Sequence, residues 1–152
     1  MEISSVIQEI QYVLAPAIMV SSSALLLLGF QNKFSNLANR FRALNQEKRL
    51  LSQKAERGAG EETRLRNLTV QIGHLMRRAA CVKSAIIFAY SGIICFTGTS
   101  VLIFLNVHAS LQLFMWIIAI FMVGLLFILL SSVLMIIETK LFYRVIAMEH
   151  RS

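Results

Sequence analysis

Hydrophobic positions in this chain fall into two arrangements. Three stretches run without a single Lys, Arg, Asp or Glu: Ile10 to Asn32, Ser84 to Asn106 and Ala109 to Ile137. Each is longer than the ~20 apolar residues with which a helix crosses the hydrocarbon core of a bilayer. In lipid a backbone must satisfy its own hydrogen bonds, so each stretch is expected to be helical. Membrane spans are accordingly placed at 11–32, 84–106 and 110–137. The third is the most apolar, and the second is richer in small and hydroxyl residues. The first is interrupted by Pro16 and by Ser21, Ser22 and Ser23, which membrane helices tolerate when neighbouring groups take up the freed backbone.

The second arrangement fills the segment 33–82. Phe34, Leu37, Phe41, Leu44, Lys48, Leu51 and Ala55 are spaced alternately three and four apart, a heptad seam with one charged interruption at Lys48. The same spacing returns in Leu65, Leu68, Ile72, Leu75, Ala79 and Val82. Between the two lies a turn at 58–60, where Gly58 suits the left-handed position after one helix and Gly60 can cap the next. Glu61 and Glu62 then open the second helix, where its dipole favours negative charge. Two matched seams around a tight turn predict an antiparallel, coiled-coil-like helical hairpin. Its arms should continue into spans one and two, since no breaker separates them. The expected fold is all-α, a single membrane domain over 1–152.

At the ends, Ile3, Val6, Ile7 and Ile10 form an apolar stripe, and Ser5 with Gln8 fits a capping box. Residues 2–10 are expected to be a short interfacial lead-in. The tail, 138–152, should extend span three along the opposite interface. Trp116, Tyr12 and Tyr143 suit interfacial anchoring.

Composition agrees: 57% of the 152 residues are hydrophobic and only 15% charged, against about 25% charged in soluble domains. The formal charge is +7, which would make nucleic acid an obvious partner were the charge not so unevenly placed. All 15 basic residues lie in the hairpin or the tail; none precedes span one or joins spans two and three, around Val107 and His108. By the positive-inside rule the hairpin and C-terminus are cytoplasmic and the N-terminus is outside. The acidic start, with Glu2 and Glu9, is the opposite of the basic leader that a cleaved signal peptide needs. No nucleic-acid partner is therefore expected.

Chemistry is sparse. The chain has no Asp, and Glu138, beside Lys140, reads as an interface residue rather than a proton relay. His74, His108 and His150 show no metal-ligand spacing, and His108 is expected in an outer loop. Cys81 and Cys95 are about 21 Å apart along one helix, too far to pair. No nucleophile, phosphate-loop or dinucleotide motif is present, so neither an enzyme nor a cofactor or metal is expected. What remains is packing. Ser91, Cys95 and Thr99, with Gly92, mark one face of span two, and Ala15, Ser22 and Gly29 recur every seven residues in span one. Such residues let helices approach closely in lipid, either within the monomer or between copies. Lys33, Arg40 and Arg42 on one arm, and Arg77, Arg78 and Lys83 on the other, are placed to meet anionic lipid headgroups.

The run Pro16-Ala17-Ile18-Met19-Val20-Ser21, the run Leu25 to Phe34 with its Gln31-Asn32-Lys33, and Asn39-Arg40-Phe41-Arg42-Ala43-Leu44 together resemble a family of small bacterial membrane proteins. That family is catalogued only as a domain of unknown function. The resemblance covers nearly the whole chain, with Lys33 where Arg is the expected residue. It implies three spans and a bacterial inner (plasma) membrane, and it transfers no catalytic residue. The leading expectation is a non-enzymatic membrane protein that assembles as a homo-oligomer. Gln31, Asn32, Asn36 and Asn39 would lie at its inner mouth, with the hairpin a cytoplasmic stalk open to a protein partner. The alternatives are an oligomeric channel or transport-related subunit, and an accessory or signalling subunit of a larger membrane complex.

Overall fold

The computed structural model describes residues 3–53, 58–109 and 113–149, the ends at 3–13 and 141–149 mainly by their backbone. These residues form three helices: α1 (Ile3–Gln53), α2 (Ala59–Ala109) and α3 (Phe114–Glu149). All three are long and apolar enough to cross a membrane. At 1.5 Å per residue, α1 and α2 are each about 76 Å long. Each therefore carries its span and its hairpin arm as one uninterrupted rod, with Pro16 accommodated inside α1.

Several boundaries differ from those the spacing predicts. Ser5 does not start a helix, because α1 already runs through it from Ile3. Gly58 serves as the cap of α2: its carbonyl accepts from the amides of Glu61 (2.9 Å) and Glu62 (3.3 Å), and Gly60 lies within the first turn. Residues 54–57, including the end of the first seam at Ala55, lie outside the described residues. His108 is still helical, and α3 starts at Phe114 rather than 110. The Leu113 amide donates to Asn106 Oδ1 (3.0 Å), so the last turns of α2 hold the chain where α3 begins.

The middle helix is α2, with α1 on one side and α3 on the other. In the span region Leu27 and Phe30 of α1 are buried against Ala85 and Ala89 of α2. Farther along, Leu37, Leu75 and Val82 make a second cluster that Phe41 and Leu44 cover. On the seam, Leu37, Leu68 and Leu75 are buried, Phe41, Leu44, Leu51, Leu65 and Ile72 are half-buried, and Phe34 is exposed. Lys48 is half-buried too, as a stem that reaches out along an apolar face would be. Nearer the tip, Arg64 Nε and Nη2 donate to Glu47 Oε1 at 3.0 and 2.8 Å. Both partners are well exposed, so this pair contributes little.

Contact between α2 and α3 is closer and is set by small residues. A Cβ on Gly124 would lie 2.8 Å from the ring of Phe96 and 3.0 Å from Cys95 Cβ, and one on Gly92 would lie 3.2 Å from the Gly124 carbonyl oxygen. Ser131 Oγ donates to the Ala85 carbonyl at 2.6 Å, fully buried. Phe88 and Phe96 of α2 lie against Phe127 and Phe121 of α3 with ring centroids 5.9 and 5.5 Å apart. The outward faces are apolar: Leu25 is 73% exposed and Ile94 70%, as suits helices bathed in lipid.

Gly124→Ala should therefore cost about 1–3 kcal/mol of stability through overpacking. Gly98→Ala, where a Cβ meets nothing within 4 Å, should be neutral or stabilising by up to about 1 kcal/mol. Reversible unfolding in mixed micelles measures both, and equal effects at the two positions would contradict the close approach at Gly124.

Candidate functional site

Charge inside the structure converges on one residue. Glu138, at the end of the apolar part of α3, is completely buried. Arg78 of α2 donates to its Oε1 from Nε (3.0 Å) and Nη2 (2.8 Å). Lys33 of α1 reaches Oε2 with Nζ, and also donates to Thr139 Oγ1 at 3.0 Å. One carboxylate thus takes a cation from each of the other two helices. The Arg78 side chain is only 14% exposed and that of Lys33 33%, so the Arg78 arm is the drier. The fork of a guanidinium fixes direction as well as distance.

The backbone brings these groups together by a simple register. In α3, Gly124, Ser131 and Glu138 follow at seven-residue intervals. In α2, running the other way, Gly92, Ala85 and Arg78 do the same. The three pairs meet in turn: close approach at Gly92/Gly124, a hydroxyl-to-carbonyl bond at Ala85/Ser131, and an ion pair at Arg78/Glu138. Each level is about 10 Å from the next. Lys33 joins from α1 where the first charge-free stretch ends.

Charge spacing leads to a reading of Glu138 as an interface residue beside Lys140; the structure corrects this, since its partners are Lys33 and Arg78. The same finding separates the six basic residues suited to headgroups. Arg40, Arg42, Arg77 and Lys83 are exposed, whereas Lys33 and Arg78 are turned to Glu138. A signal was present in the sequence, in the matched seven-residue ladders that end on opposite charges.

The packing residues also divide. Gly92 and Thr99 are buried and Ser91 and Cys95 half-buried. The hydroxyls of Ser91 and Thr99 donate to carbonyls one turn back, at Ile87 (3.0 Å) and Cys95 (2.8 Å). Ala15, Ser22 and Gly29, in contrast, are exposed, and a Cβ on Gly29 would meet nothing within 4 Å. Gln31 donates to the Tyr90 hydroxyl at 2.8 Å, and Asn32, Asn36 and Asn39 are exposed. Trp116 is exposed where α3 begins; the side chains of Tyr12, Tyr143 and His108 lie outside the described residues. Among the described residues no three His, Cys or Glu side chains gather.

The site is a clasp: it holds three helices in one register. Glu138→Met removes the buried carboxylate that faces both cations and should cost about 3–5 kcal/mol. The triple variant Lys33→Met/Arg78→Met/Glu138→Met, with no charge left to desolvate, should recover most of that loss. Additive losses in micellar unfolding would show that the three residues act separately.

No curated protein and no solved structure matches the chain. A family described as "Protein of unknown function (DUF2721)" matches residues 13–148. The clasp residues Lys33, Arg78 and Glu138 all fall inside that stretch, and the chain belongs to this family.

Proposed function

We propose that the protein is a non-enzymatic membrane scaffold that assembles with copies of itself through α1 and projects its helical hairpin into the cytoplasm as a docking arm. What carries this reading is the outward face of α1. Ala15, Ile18, Ser22, Leu25, Gly29, Asn32, Asn36 and Asn39 follow one another at three- and four-residue spacing, and every one is exposed. Within the lipid-facing part, small residues recur at Ala15, Ser22 and Gly29, the pattern that lets two membrane helices approach closely. Toward the hairpin it passes into amides, which carry both donors and an acceptor and so can pair with their own copies across a symmetric interface. From Ile18 onward the inner faces of the monomer are filled by other residues, so this part of the seam is open to a second chain, while Ala15 lies at the edge of a cleft between the helices.

Placement of the hairpin on the cytoplasmic side follows from the basic residues, all of which lie on that side of the spans. Arg40, Arg42, Arg77 and Lys83 would meet anionic headgroups there. The hydroxyls of α2 favour scaffold over channel: Ser91, Thr97, Thr99 and Ser100 each donate to a carbonyl of their own helix.

Native mass spectrometry from mild detergent should show more than one copy per complex. Ser22→Leu/Gly29→Leu should reduce the complex to single chains while leaving the helical circular dichroism and the micellar melting temperature of the single chain unchanged. A wild-type protein that is strictly monomeric in detergent and in nanodiscs overturns the proposal.

A further inference from the structure

At the end of the bundle away from the hairpin the three helices part and leave a cleft of about 510 Å³. Pro16 of α1, Thr99, Ile103 and Asn106 of α2, and Ile117 and Phe121 of α3 form its walls. The volume falls within the ~300–1,000 Å³ of small-molecule sites. We infer that this cleft is a binding site for a single acyl chain of a membrane lipid, taken from the leaflet opposite the hairpin.

Three observations select that occupant. The first is depth. Thr99 to Asn106 close the charge-free stretch of α2 that begins at Ser84, and they lie about 22 to 33 Å along it. In a hydrocarbon core ~30 Å thick that places the cleft in the leaflet opposite the hairpin, from its tails to its outer edge. The second is chemistry. Among the described residues no charged side chain lines the cleft. Thr99 Oγ1 is turned to the Cys95 carbonyl and Asn106 Oδ1 takes the Leu113 amide. These walls reward an apolar occupant. The third is access. α2 contacts both neighbours extensively, while α1 and α3 are joined chiefly by Lys33 at the other end, so a chain can slide in sideways between α1 and α3. Interiors are packed near crystal density and an unfilled space of this size forfeits contacts along every wall. In a bilayer the nearest apolar filler is a lipid tail.

The site follows from the bundle alone and does not depend on assembly through α1. Wild-type protein reconstituted in phosphatidylcholine vesicles containing a phosphatidylcholine with a diazirine at mid-chain should, on illumination, carry label on the 99–107 and 114–122 walls. Labelling there should exceed that on the outward residues Leu25 and Ile94 by about fivefold or more. Ile103→Trp and Ile117→Trp, which fill the cleft, should lower wall labelling at least fivefold, with labelling of Leu25 and Ile94 unchanged. Label confined to outward faces of the wild type overturns the proposal, as does cross-linking of the walls to a second copy of the chain. Should either Trp variant fail to fold, the wild-type wall-to-face ratio decides by itself.

Discussion

A bilayer gives membrane helices little hydrophobic reason to prefer one another, because lipid tails are as apolar as leucine. What fixes three such helices in register has to be short-range: a close approach, an interhelical hydrogen bond, an ion pair. In this protein those three devices occupy successive levels of one interface, and the last of them, Glu138 with Arg78 and Lys33, ties in the third helix as well. A shift of α3 by one turn would bring Ser131 opposite the wrong carbonyl and leave Glu138 buried without its fork. Each level thus penalises the slips that the others leave open.

The order of the helices follows from which side chains are small. Ala85 and Ala89 of α2 receive Leu27 and Phe30 from α1, while the Ala85 carbonyl accepts Ser131 from α3. A large residue at position 85 could not serve both neighbours. α2 is therefore the helix on which the others are built, and its small residues allow two interfaces on one rod.

Much of this was legible along the chain. The absence of charge over three stretches marks the three apolar helices, and the three-four spacing from Leu37 to Leu51 and from Leu65 to Leu75 marks the faces that α1 and α2 turn toward each other. Glu138 was legible only through the matched seven-residue ladders, because beside Lys140 it has a ready local partner, and only folding brings it Arg78, 60 residues away. Likewise the spacing of Ala15, Ser22 and Gly29 cannot say whether they face inward, because small residues serve close packing within a chain and between chains alike. The turn differed at the level of single residues. Either glycine can cap a helix, and the choice of Gly58 rests on which carbonyl the amides of Glu61 and Glu62 reach.

The clasp also bears on how a docking arm of the kind proposed would work. Because α1 and α2 pass from span to hairpin without a break, a rotation at one end is carried to the other unless the helices slide. Lys33 and Arg78 stand where the arms leave the spans, and there they oppose sliding. Beyond them Leu37, Leu75 and Leu68 are buried, and past Leu68 the hold weakens: Leu51 and Leu65 are only half-buried and the Glu47–Arg64 ion pair is exposed. Local opening follows burial, so the tip should open first while the base stays closed. An arm stiff at its root and yielding at its end can adapt to a partner without disturbing the register of the spans.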